Sequence, residues 1–215
     1  KSKEINKGRL IYCPPYTLIS SFSKKFKNCQ IGIGGQNCHE SENYGAYTGF
    51  VNSRMLKNIG AQFVIIGHSE NRKKGEDNNL INLKIKSALA AKLKVIYCIG
   101  ETLTEKRKKK TKSILSKQIK VGLKDLKNIS KIFIAYEPVW AIGTGVVPKS
   151  EDLLKTVKFI KSKFKDKSPR ILYGGSVNSQ NIKNLKEINN IDGFLIGGAS
   201  QNANKFIDIV KKTYS

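Results

Sequence analysis

Short apolar runs alternate with longer amphipathic stretches along the whole chain. The runs are Arg9 to Cys13, Gln30 to Ile33, Gln62 to Ile66, Val95 to Ile99, Ile132 to Tyr136, Arg170 to Tyr173 and Gly193 to Ile196, which reads as seven strands. The stretches between them include Leu80 to Ala91, Ile114 to Leu126, Leu153 to Phe164 and Asn181 to Ile188. They carry apolar residues at helical spacing. Ser150 reads as the cap of the third, with Glu151 and Asp152 in its first turn. Strands alternating with helices specify parallel β/α units, an α/β fold. Each strand is apolar on both faces, as required when helices cover one side and a barrel or sheet core the other.

At 215 residues and 39% hydrophobic, the chain can bury one sizeable core. Length allows one domain or two; no Ser/Gly or Pro tract divides the chain, and residues 1–215 are read as a single domain. No apolar run approaches the roughly 18 residues of a membrane span, and KSKEINKGRL is not an apolar signal segment. Cys13, Cys29, Cys38 and Cys98 show no C-x-x-C spacing, and Cys38-His39 lacks the further ligands a zinc site needs. The chain is therefore expected to be cytoplasmic, with free thiols, no metal and no membrane partner.

The net charge of +24 is the usual footprint of a nucleic-acid binder. Its distribution argues otherwise. Lysines are spread over nearly every predicted helix, densest at Lys106 to Lys112, with no aromatic-rich recognition element beside them. They read as solvated faces in a chain rich in Lys, Asn and Ile, so no nucleic-acid partner is expected. A positive field would still attract small anionic substrates.

The polar punctuation falls at the carboxyl ends of the strands. GQN (35–37) follows the second run, GHSE (67–70) the third, CIGE (98–101) the fourth, EPVW the fifth, YGGS (173–176) the sixth and IGG (196–198) the seventh. Any one of these could be turn chemistry, but ligands of barrels and open α/β sheets bind at that edge. The fullest is AYEPVWAIGTG, residues 135–145. Glu137 ends a strand and heads a loop that Pro138 stiffens, Trp140 anchors, and Gly143 and Gly145 free to swing. That is how a lid over a reacting group is built. Alone, it could equally be a surface turn with a solvated Glu.

The chemistry of the six is mutually consistent. Gly174, Gly175 and Ser176, with Gly197 and Gly198, offer backbone amides and a following helix N-terminus for a phosphate dianion. His68 precedes Ser69 and Glu70, which read as a helix's first turn, a place that favours the neutral imidazole. A neutral imidazole can donate to a carbonyl while Glu137 takes a proton from the adjacent carbon. The result is isomerisation through an enediol.

In order and separation, QNCHESENYGAYTG, GHSENR, CIGE, AYEPVWAIGTG, YGGSV and DGFLIGGAS resemble the triosephosphate isomerase family over nearly the whole chain. The resemblance implies a TIM (β/α)8 barrel of which strands 2 to 8 are present here. It implies cofactor-free interconversion of glyceraldehyde 3-phosphate and dihydroxyacetone phosphate in glycolysis and gluconeogenesis. Glu137 would be the base, His68 the electrophile and Pro138 to Gly145 the lid. Gly143, Ser176, Gly197 and Gly198 would hold the phosphate through backbone amides. Thr48 would sit on the loop inserted into a partner subunit, making a homodimer. Ser69 and Glu70 would support the site.

Three departures accompany the resemblance. The family's first strand ends in an Asn-x-Lys motif that has no counterpart here; Lys1 and Lys3 lead into Ile5 to Arg9, which reads as the end of the first helix running into the second strand, and a longer natural protein is expected. Phe50 and Asn71 stand where the family has an acid and an Arg, so an interfacial ion pair is expected to be missing. The segment Arg72 to Asp77 is about one residue short. The competing reading from another class is an inactive basic barrel fragment that binds polyanions such as RNA.

Overall fold

The computed structural model describes residues 10–164 and 168–214. Its strands are β1 (Leu10–Tyr12), β2 (Ile31–Gly35), β3 (Phe63–Ile66), β4 (Lys94–Ile99), β5 (Ile132–Tyr136), β6 (Arg170–Tyr173) and β7 (Gly193–Phe194). They are hydrogen-bonded in chain order, and the registers of β1 with β2, β2 with β3, β3 with β4 and β6 with β7 are parallel. All seven expected runs are therefore strands, with ends shifted by at most two residues. Lys1 to Arg9, read as a helix end entering the first run, lies outside the described residues.

The helices are α1 (Ile19–Lys25), α2 (Ser53–Asn58), α3 (Ser69–Lys73), α4 (Asn78–Ala90), α5 (Leu103–Arg107), α6 (Thr111–Gly122), α7 (Ser150–Lys161), α8 (Ile182–Lys186) and α9 (Ala203–Tyr214). The chain divides into two compact units, one of Arg9–Cys98 with Gln118–Phe133, the other including Ile99–Lys117 and Ile134–Ser215. β4 and β5 contribute residues to both.

In the first unit, Ile81, Ile85 and Ala88 lie one helical turn apart on α4 and are fully buried, as are Phe63, Val64 and Ile66 of β3. Burying each of these larger side chains contributes about 1.5–3 kcal/mol. Asp77 starts α4 by accepting the Leu80 N–H at 2.8 Å. Asn82 on the same helix donates to the carbonyls of Gly122 (2.9 Å) and Lys124 (3.0 Å), ending α6 four residues earlier than its apolar pattern suggests. In the second unit Leu153, Val157 and Ile160 of α7 repeat the same spacing and the same burial.

Ser150 is not a cap. Lys149 holds the extended cap conformation (φ −57°, ψ 139°) and makes no side-chain cap bond, so Ser150 is already the first helical residue. Glu151 and Asp152 still lie in the first turn, where the helix dipole favours them.

Candidate active site

Glu137 directly follows β5. Its N–H donates to the Ile99 carbonyl at 2.7 Å, extending the β5 ladder one residue past the strand, and the residue is only 2% exposed. Two glycines shape its surroundings. A Cβ on Gly100 would overlap the Glu137 backbone carbonyl, and a Cβ on Gly174 would stand 2.8 Å from Glu137 Cγ and 3.4 Å from Oε1. Gly174, expected among the phosphate-holding residues, thus leaves room for the carboxylate. Gly175 likewise lies against the Tyr173 ring, where a Cβ would overlap the hydroxyl.

The loop after Glu137 has the parts of a lid. Pro138 sets φ at −61°, and a 3₁₀ turn spans Val139–Ala141. Gly143 and Gly145 take φ of +68° and +76°, the left-handed region that a Cβ disfavours. Glu101 is the floor on which this loop rests. It is 1% exposed; its carbonyl accepts the Val139 N–H (3.0 Å) and its carboxylate accepts the Trp140 indole N–H (3.0 Å). The Tyr136 hydroxyl donates to the same carboxylate, 3.2 Å from each oxygen. Burial raises the Glu101 pKa, against which the Trp140 and Tyr136 hydrogen bonds and the Lys106 charge act.

Ser176 closes the far side. Its hydroxyl donates to the Ala141 carbonyl (2.7 Å) and accepts the Gly145 N–H (3.1 Å), so the side chain latches both ends of the glycine segment. Sequence reasoning assigned this residue only a backbone amide. A Cβ on Gly143, Gly197 or Gly198 would meet no described atom within 4 Å, so crowding at Cβ does not explain these glycines. The helix that follows β7 is a short 3₁₀ helix, Gly198–Gln201, with Gly197 at its N-cap; α9 begins at Ala203.

In the other unit, His68 is the N-cap of α3, and its Nδ1 accepts the Glu70 N–H at 3.4 Å. That acceptor role puts the hydrogen of the neutral ring on Nε2. Burial lowers the His68 pKa; Glu70 acts to raise it and Lys73 to lower it further. The neutral imidazole expected from a helix terminus is thus favoured first by desolvation. Ser69 is buried, whereas Glu70 is 79% exposed with its carboxylate 4.0 Å from His68 Nδ1. Thr48 is exposed in a tight turn closed by the Phe50 N–H on the Tyr47 carbonyl (3.1 Å), with Gly49 at φ +83°.

Arg72 shapes the His68 turn. Its Nε donates to the Gly67 carbonyl (2.7 Å), its Nη1 to Asn78 Oδ1 (2.8 Å) and its Nη2 to the Cys98 carbonyl (3.0 Å). Neither Arg72 nor Glu101 was given a role by sequence reasoning. Both stand inside the motifs that drew attention, GHSENR and CIGE, and a charge beside a strand end was the available signal.

The triosephosphate isomerase family model matches residues 1–213. The chain belongs to the triosephosphate isomerase family. It is 44% identical to the triosephosphate isomerase of Thermodesulfovibrio yellowstonii, the match covering 98% of this chain and 88% of that one. It is also 44% identical to the enzyme of Dictyoglomus turgidum, covering 97% and 89%. The crystal structure of triosephosphate isomerase from Bartonella henselae superposes with a TM-score of 0.89 at 37% identity, covering 99% of this chain and 91% of that one. The fold is thus a TIM-barrel fold, of which seven parallel strands lie among the described residues. Membership in the triosephosphate isomerase family accounts for the order in which the six rim motifs occur.

Proposed function

We propose that this chain interconverts glyceraldehyde 3-phosphate and dihydroxyacetone phosphate, with Glu137 as the base. The observation that carries the reading is a buried Glu137 at a strand's end, its backbone given room by Gly100 and its side chain by Gly174, at the head of a latched loop. Glu137 takes a proton from the carbon beside the substrate carbonyl. The C–H electrons become the C=C bond of an enediol, and the carbonyl oxygen takes a hydrogen bond and then a proton from neutral His68. Glu137 returns its proton to the other carbon, while the hydroxyl on the first carbon gives its proton to His68 and becomes the new carbonyl.

Backbone amides of Gly143, Ser176, Gly197 and Gly198 hold the phosphate in this reading, and Ser69 and Glu70 support His68. We also infer a cytoplasmic homodimer that inserts Thr48 into its partner. Exposed Tyr44, Tyr47 and Phe50 on the Thr48 loop support the dimer, and four free cysteines support a reducing compartment. Among the described residues, no helix is long and apolar enough to cross a membrane.

The test is isomerisation in heavy water. The chain should convert either triose phosphate to the other and incorporate solvent deuterium at the carbon beside the carbonyl. Glu137→Gln should lower turnover by about 10²–10⁴ and leave binding of glycerol 3-phosphate largely intact. Unchanged turnover in that variant rejects Glu137 as base.

A further inference from the structure

The run Lys106 to Lys112 reads as a solvated face, yet its first member is not solvated like the rest. Lys106 is half-buried, whereas Arg107, Lys108, Lys109 and Lys110 are exposed. Its Nζ stands 3.3 Å from the centroid of the Trp140 ring. That is well inside the roughly 6 Å within which an ammonium is held by an aromatic face, and tryptophan is the strongest such partner.

The segment that delivers Lys106 is short and well fixed. Thr102 and Glu105 form a capping box at the start of α5, with the Thr102 N–H on Glu105 Oε2 at 2.7 Å and the Glu105 N–H on Thr102 Oγ1 at 3.3 Å. Lys106 N–H then donates to the Thr102 carbonyl at 3.0 Å. Glu101 immediately precedes the box. One six-residue stretch therefore grips the lid's indole twice, by its edge through the Glu101 carboxylate and by its face through the Lys106 ammonium. Two opposite charges on one ring also favour the ring position that keeps both contacts.

We propose that Lys106 is a positioning residue of the lid, holding Trp140 on Glu101 and so setting how much of the time the loop from Pro138 to Gly145 stays closed. The proposal rests on the reading that Glu137 works beneath this loop, but its test has a readout independent of turnover. Trp140 is the only tryptophan in the chain, so intrinsic emission reports on this ring alone.

Lys106→Met keeps the length of the stem and removes the charge. It should shift Trp140 emission in the absence of ligand and weaken glycerol 3-phosphate binding, followed by that emission, roughly two- to thirtyfold. Lys106→Arg keeps a cation that stacks on indole and should restore both. Lys108→Met, which removes an exposed lysine of the same run, should change neither. Lys106→Gln replaces the Met variant if the latter does not fold. Wild-type emission and affinity in the neutral variants overturn the proposal, as does failure of Lys106→Arg to restore them. An inactive wild-type chain would reject the isomerase reading while leaving the fluorescence outcome to decide Lys106.

Discussion

Gly174 stands where a single methyl group would press on Glu137: its Cβ would lie 2.8 Å from Cγ and 3.4 Å from Oε1. The neighbouring Leu195 Cβ, 3.5 Å away, bounds the same point. Gly174→Ala must therefore push the carboxylate out of its position rather than merely fill space. Displacements of about 1 Å at a reacting group cost on the order of a hundredfold, so turnover should drop by that order while thermal stability changes by about 1–3 kcal/mol. Normal turnover in a folded Gly174→Ala variant would show that Glu137 is free to rearrange.

Gly100→Ala should behave differently. Its Cβ would overlap the Glu137 backbone carbonyl, and a backbone cannot rotate aside as a side chain can. The Glu137 N–H to Ile99 carbonyl bond would have to break. The expected result is loss of stability first, read in urea unfolding as a lower midpoint with unchanged slope. A wild-type midpoint would count against the close approach of these two backbones.

The strands were legible because burial on both faces leaves continuous apolar runs, and every run is a strand. The rim was legible because charge and glycine are conspicuous after such runs: Glu137 directly follows β5, His68 caps α3, and Gly143 and Gly145 take positive φ. What was not legible is how the rim residues serve each other. Gly174 and Ser176 read as phosphate ligands because Gly-Gly-Ser suits an anion; their contacts with Glu137 and the lid depend on pairing across strands about 40 residues apart, which spacing does not encode. Glu101 and Lys106 were missed for the same reason, since both act on Trp140; Arg72 reads as one more helix charge until the Gly67 and Cys98 carbonyls accept from it. The Ser150 cap failed because a cap depends on backbone angles, and the extended residue is Lys149.

Ser176→Ala removes both latches at once, the bond to the Ala141 carbonyl and the bond from the Gly145 N–H. At about 0.5–1.5 kcal/mol net per bond, the closed loop should lose roughly 1–3 kcal/mol. Glycerol 3-phosphate should bind about five- to 150-fold more weakly, with the melting temperature little changed. Calorimetry checks this, and wild-type affinity would exclude the latch.

Arg72→Met takes one donor each from Gly67, Cys98 and Asn78. Loss of donors to partly buried acceptors should destabilise the chain on the order of 2–4 kcal/mol. Because Gly67 leads into His68, kcat should fall as well, measured at a temperature where the variant remains folded. A stability loss below about 0.5 kcal/mol would mean that water replaces the guanidinium at these sites.

The acid limb of the pH profile should belong to His68. Burial lowers its pKa below the ordinary 6.5, so the neutral form that the proposed mechanism uses persists at pH 6.5 and above and is lost as pH falls through the lowered value. The stability sign is the same. The unfolded chain binds the proton first, so this contribution is intact above 6.5 and disappears as pH falls through the folded pKa. Glu70 acts to raise that pKa, so Glu70→Gln should move the limb of kcat/KM to lower pH. A limb that moves upward, or one that survives unchanged in His68→Gln, would assign the titration to another group.

The loop carrying Thr48 gives the last prediction. Tyr44 and Phe50 are 61% and 62% exposed and Tyr47 is 44% exposed, an apolar cluster that a solitary chain would leave in water. His39 holds the loop's base, its N–H donating to the Val51 carbonyl at 2.8 Å and its ring 4.4 Å from Tyr47 and 4.9 Å from Phe50. Phe50, on whose account an interfacial ion pair was expected to be missing, supplies apolar area instead, so association should tolerate high salt rather than weaken with it. Sedimentation should show a dimer at both low and high ionic strength. Tyr47→Asp combined with Phe50→Asp should yield monomers, since burying two unpaired carboxylates outweighs the contact area that remains. A wild-type chain that sediments as a monomer at micromolar concentration, or a double variant that stays dimeric, would remove this loop from the interface.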